Sequence, residues 1–157
     1  MAHHGHEQHD HSPYGQLGVM ALASFVAMYV LMYAMVDSTE NVYPNFNQFY
    51  MASLMTAPMV IIELLVMQGM YKNKKLNAAI LAGSAVVATL AFFFIQQQTL
   101  ITDEQFLKSM IPHHAAAVLM CEKAPIKDAE IKQLCDNILS SQQAEIKQMK
   151  KKLNDIK

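Results

Sequence analysis

LGVMALASFVAMYVLMYAMV, Leu17–Val36, runs through twenty residues without one charged side chain. At about 1.5 Å per helical residue such a run reaches across a hydrocarbon core of about 30 Å, so it reads as a membrane-spanning helix. Two more runs follow: Tyr50–Tyr71, interrupted only by Pro58 and Glu63, and Leu76–Phe94. The first lies near the N-terminus, but no basic segment precedes it and no small-residue cleavage site follows. A span is therefore expected there, not a secretory leader. The chain divides into a tail at 1–15, a three-helix transmembrane region at 16–95 and an extramembrane segment at 96–157.

The composition agrees with that division. Of 157 residues 53% are hydrophobic, thirteen are methionine and none is tryptophan, which departs from ordinary soluble usage. There is no arginine, so lysines alone set orientation. Lys72, Lys74 and Lys75 crowd the loop between the second and third runs, whereas Asp37–Phe49 holds two acids and no base. The lysine loop and the N-terminal tail are expected on the cytoplasmic side of a bacterial inner (plasma) membrane, with everything after Phe94 in the periplasm or outside. The net charge is −1 and the C-terminal lysines alternate with acids, so there is no nucleic-acid footprint.

Five of the seven histidines, His3, His4, His6, His9 and His11, lie in the opening MAHHGHEQHDH. That segment is too polar to fold alone and reads as a disordered tail with a secondary capacity for metal capture.

After the third run, Thr102 and Gln105 have the spacing of a capping box, and Asp103 and Glu104 suit the positive end of a helix dipole. Phe106, Met110, His113, Ala117 and Met120 then form one row at spacings of four and three. Leu107, Ile111, His114, Val118 and Cys121 form the next. Pro125 breaks this helix and Asp128 caps another, whose apolar face runs Ile131, Cys135, Ile138, Gln142, Ile146, Met149, Leu153 and Ile156. Such a hairpin is too small to bury a good core alone. It is expected to complete a four-helix bundle by oligomerisation or to lean on the membrane helices. The whole chain is all-α.

Thioether, thiolate and imidazole donors select Cu(I), and Ag(I) as its analogue, over harder ions. In the hairpin, Met110, His113 and Met120 share one face, His114 and Cys121 the adjacent one, and Cys135 and Met149 recur on the facing helix. Pro112 frees the Lys108 carbonyl and loosens or kinks the helix before the two histidines, giving both imidazoles room to turn toward one centre. Cys121 and Cys135 have two open fates, a disulfide or metal thiolates, and any one redox state allows only one of them. Within the second run Met51, Met55, Met59, Glu63 and Met67 recur every fourth residue. In the first, Met20, Met28, Met32 and Met35 share a side. Methionine is also a packing residue, but an ionisable Glu63 inside a span marks a polar interior, a partner or an ion path. Ala79 and Gly83 form a small-residue pair of the kind found at helix contacts.

The C-terminal part resembles the bacterial domain-of-unknown-function family numbered 305, with a D-x-x-F-L-x-x-M-I-P-H-H-x-x-A-x-x-M signature and a second helix bearing Q-x-x-E-I-x-x-M. The matching residues are Asp103, Phe106, Leu107, Met110, Ile111, Pro112, His113, His114, Ala117 and Met120, then Gln142, Glu145, Ile146 and Met149. The two cysteines, with Ala124–Ile126 between them, resemble one subgroup. The resemblance implies a ferritin-like helical fold and a role like that of copper- and silver-binding proteins of metal tolerance. It makes Met110, His113, His114, Met120 and Met149 the candidate ligands.

The expected function is non-enzymatic: membrane-anchored binding of Cu(I) or Ag(I), before zinc or iron, for storage, handover or resistance, in a homo-oligomer with a metal-transfer partner. One alternative is a metal-conducting or metal-sensing assembly using the methionine stripe and Glu63. The other is a ferritin-like metal oxidase, which needs a Glu-x-x-His pair that the chain lacks.

Overall fold

The computed structural model describes residues 12–156, so the histidine-rich tail and its proposed metal capture lie outside the described residues. Helix α1 covers Pro13–Leu31, and its last turn tightens into a 3-10 turn over Met32–Met35. Ser12 starts it by accepting the Gly15 amide (3.2 Å), with Pro13 in the first turn where its missing N–H costs nothing. Pro13, Tyr14 and Gly15 are thus helical and do not belong to the tail.

Helix α2, Phe46–Val66, begins four residues before the expected span because Asn45 accepts the Gln48 amide at 3.0 Å. Its run ends at Val66, and the chain turns over Met67–Met70 before the lysine loop. Helix α3, Lys74–Gln97, is capped by Asn73. Pro13–Met35, Phe46–Val66 and Lys74–Gln97 are long and apolar enough to cross a membrane. Among the described residues every regular element is helical.

The helices run antiparallel in order, and their lysine-loop end is closed by Leu17, Val60, Leu64 and Tyr71, with Met20 and Met59 packed against them. Tyr14 pins α1 to that loop: its hydroxyl donates to Asn77 Oδ1 (2.8 Å) and accepts the Asn73 amide (3.0 Å). Gly83 does not make the close helix contact its spacing announces. A Cβ there would meet open space.

Helices α4, Asp103–Lys123, and α5, Ala129–Asp155, form the hairpin at the opposite end. Pro125 lies in the connection, and Asp128 accepts the Glu130 and Ile131 amides at 2.9 and 3.0 Å, as the sequence predicts. The hairpin core is Ile111, Ala115 and Val118 from α4 against Ile146 and Leu153 from α5. Val36 and Tyr43, from the segment between α1 and α2, pack into the same core. The hairpin therefore leans on the α1–α2 connection, and on α2, within one chain.

Candidate metal centre

One hydrogen bond from α4 and three from the turn that precedes it tie this part of the chain to the start of α2. Thr102 caps α4 by accepting the Gln105 amide (3.4 Å), but the Gln105 side chain does not return to close the expected box. Its Oε1 accepts the amide of Phe46 at 3.0 Å, at the start of α2. Asn47 and Gln98 exchange hydrogen bonds at 3.1 Å each way, and the Tyr50 hydroxyl donates to the Thr99 carbonyl at 2.9 Å. These bonds hold a turn in which Gln98 and Leu100 adopt positive φ of 49° and 61°, a region disfavoured for side-chain-bearing residues.

Pro112 sits inside a helix that continues through it, and the Lys108 carbonyl it frees is taken up by Asn45 Nδ2 at 3.4 Å. The same amide nitrogen donates to the Tyr43 carbonyl (2.9 Å) and Gln48 Oε1 (3.0 Å), and Asn45 is only 5% exposed. One buried side chain thus caps α2, braces the preceding loop and satisfies the acceptor that Pro112 exposes.

The two histidines do not turn to one centre. Adjacent helical residues point about 100° apart, and Pro112 does not change that. His114, 8% exposed, faces α5: its Nε2 meets Glu145 Oε2 at 2.8 Å and its Nδ1 donates to the Met110 carbonyl at 2.9 Å. Because a carbonyl only accepts, Nδ1 carries a proton, and the second nitrogen faces the Glu145 carboxylate. Both nitrogens are committed, so in this arrangement His114 is a satisfied core histidine. His113 is exposed on the other side of α4.

The remaining candidates are dispersed. Met149 packs against the hairpin core, and Met120 stands 51% exposed near the hairpin tip. Cys121 and Cys135 are joined as a disulfide with their α-carbons 5.3 Å apart, which in this redox state removes them as thiolate ligands. The stripe on α2 divides as well. Met59 packs on the apolar core, Met55 and Met67 are exposed, and Glu63 lies beside the Tyr71 hydroxyl. Burial, and then that carboxylate, push the Tyr71 phenol above its ordinary value.

Met110 and His113 do come together with other soft donors. They line a cavity of ≈ 330 Å³ where α4 meets the end of α1 and the start of α2, and Met32, Met35 and Met51 line it too. The sequence placed Met32 and Met35 on one side of the first span and Met51 in the second-span stripe, without linking them to the hairpin. The i, i+3 pair at the end of the first run was the available signal, but only the tertiary fold shows what it faces. Four thioethers and one imidazole form a neutral donor set. Among the described residues no group of three or more His, Cys, Asp or Glu is assembled.

Fold and site define an all-α protein in which three helices long and apolar enough to cross a membrane carry a two-helix hairpin, with a methionine-rich cavity at the junction. Residues 65–153 match the family described as "Domain of unknown function (DUF305)", and the chain belongs to that family. The match takes in all of α3 and the hairpin as far as Leu153. The chain is also 33% identical over 142 residues to "Uncharacterized protein L153" of Acanthamoeba polyphaga mimivirus, covering 88% of this chain and 91% of the relative. No solved structure matches.

Proposed function

We propose that this protein binds Cu(I), or its analogue Ag(I), at the junction of the apolar helices and the hairpin, as a membrane-anchored storage or handover site. The observation that carries the reading is the single cavity lined by Met32, Met35, Met51, Met110 and His113. Thioethers favour soft monovalent ions and are poor ligands for magnesium or calcium, and a neutral donor set leaves the ion's charge in place. In this reading α1–α3 lie in a plasma membrane with the lysine loop toward the cytoplasm. The cavity then sits at the outer boundary, open to a partner bearing similar ligands. Thioether and imidazole bonds exchange one at a time, so the ion passes on without a free intermediate.

The reading separates the two histidines. Ag(I) titration of the purified full chain, which needs no reductant and leaves the disulfide intact, is expected to lose its tightest equivalent in His113→Ala with Met110→Leu. His114→Ala should retain it. Replacing Met32, Met35 and Met51 by leucine should weaken the same equivalent. If that triple variant binds as tightly as the parent, the junction is not the site.

A further inference from the structure

The lysine-loop end carries a second cavity. A groove of ≈ 530 Å³ lies between the end of α2 and the start of α3, lined by Leu64, Leu65, Ala78 and Leu81 and by the cationic Lys72 and Lys74. These charges have little to oppose them in the sequence. From Leu64 to Thr102 there is no Asp or Glu, and Glu63 just before that interval lies beside the Tyr71 hydroxyl. Lys74 also stands in the first turn of α3, where the helix dipole is already positive and no acidic residue is present. Cationic groups and an apolar wall thus share one groove at the end of two helices of membrane-spanning length.

We propose that this groove binds an anionic glycerophospholipid, its phosphate at Lys72 and Lys74 and one acyl chain along Leu65, Ala78 and Leu81, over the buried Leu64. Basic pockets between membrane helices hold anionic headgroups in this way, because each nearby lysine strengthens attraction to a negative lipid. A soluble anion would use the lysines alone and leave the leucine wall uncovered, whereas an amphiphile satisfies both halves. The proposal rests on the membrane placement of α1–α3 and is independent of the metal cavity at the other end.

The test is native mass spectrometry of the full chain released from neutral detergent, titrated with phosphatidylglycerol or phosphatidylcholine. The parent should retain one phosphatidylglycerol in preference to phosphatidylcholine. The preference should fall about fivefold for each lysine neutralised in Lys72→Gln and Lys74→Gln. Ala78→Trp, which narrows the groove and keeps both lysines, should lower retention, whereas Lys123→Gln with Lys127→Gln on the hairpin should not. Excess inorganic phosphate should fail to displace the lipid. Each variant is first matched to the parent in helix content by circular dichroism. An unchanged preference in the double lysine variant, unchanged retention in Ala78→Trp, or displacement by phosphate overturns the lipid site. Flotation with phosphatidylcholine vesicles separates the two readings. A chain that floats but shows no lipid preference refutes only the groove, and one that does not float refutes the membrane placement and the groove together.

Discussion

Asn45 and Pro112 should be energetically coupled although they lie far apart in sequence. Pro112 leaves the Lys108 carbonyl without its helical donor, and Asn45 Nδ2 supplies one from the start of α2. Replacing Asn45 by alanine removes the N-cap of α2, at about 1 kcal/mol. It also strands the partly buried Lys108 carbonyl, and an unsatisfied acceptor costs about 1 to 3 kcal/mol where burial is complete. The contact is 3.4 Å long and is the longest of three made by one NH2 group, so the low end of that range applies. The expected loss is about 2 kcal/mol. In a Pro112→Ala background an amide returns at position 112 and can donate to Lys108 itself. There Asn45→Ala should cost only its cap, leaving a coupling of about 1 kcal/mol.

Native-state hydrogen exchange of the α4 amides, read peptide by peptide in the parent, both single variants and the double variant, measures this directly. The coupling appears as an exchange acceleration by Asn45→Ala about fivefold smaller with alanine at 112 than with proline. If the two substitutions add to within about 0.3 to 0.5 kcal/mol, the Asn45 contact does not satisfy the carbonyl that Pro112 frees, and the account of how α4 is seated on α2 fails.

Removing the disulfide through Cys121→Ser with Cys135→Ser, whose sequence separation is 14, should cost the hairpin about 3 kcal/mol on loop-closure grounds. Denaturation of α4 and α5 followed by exchange gives that loss. The same variant should keep its Ag(I) stoichiometry, and a missing equivalent would restore the thiolates as ligands. The raised Tyr71 value means the folded chain holds that phenolic proton more tightly than the unfolded chain does. Stability from this group is therefore full below about pH 10 and falls as pH rises through the window between unfolded and folded values. Tyr71→Phe should flatten that alkaline slope in unfolding measured against pH, and an unchanged slope counts against burial beside Glu63 as its cause. Gly83→Ala, with open space at its Cβ, should stabilise α3 by about 0.5 to 1 kcal/mol in thermal unfolding. A loss there would show that Gly83 serves a contact outside the single chain.

What was legible in the sequence follows from which interactions are local. Apolar run length marked the three apolar helices because it is a property of consecutive residues. Asp128 and the Pro125 break were readable because a cap and its amides lie within three residues of each other. The helix starts at Pro13 and Phe46 were set by Ser12 and Asn45, polar residues outside the hydropathy windows, so hydropathy placed those ends late. The Thr102–Gln105 spacing was real but ambiguous. A glutamine at the third helical position can close its own box or cap a neighbour, and the start of α2 supplied the competing amide.

The histidine pair shows the same division more sharply. Row assignment put His113 and His114 on adjacent faces, and the structure keeps them there, but periodicity cannot tell which row meets α5. Two neighbours decide it. Ile111 and Val118, four or fewer positions from His114 and both nearly inaccessible, commit that row to the hairpin core, and Glu145 on α5 engages the imidazole that arrives with them. Once that row is spent on packing, Met110 and His113 are left on the side that faces α1 and α2. Among the described residues, the soft donors that share their cavity are methionines contributed by the apolar helices and the turn that ends α1. The adjacent histidines are therefore divided, His114 bonded to Glu145 of α5 and His113 on the wall of the junction cavity. The apolar helices supply part of that cavity's wall as well as the hairpin's support.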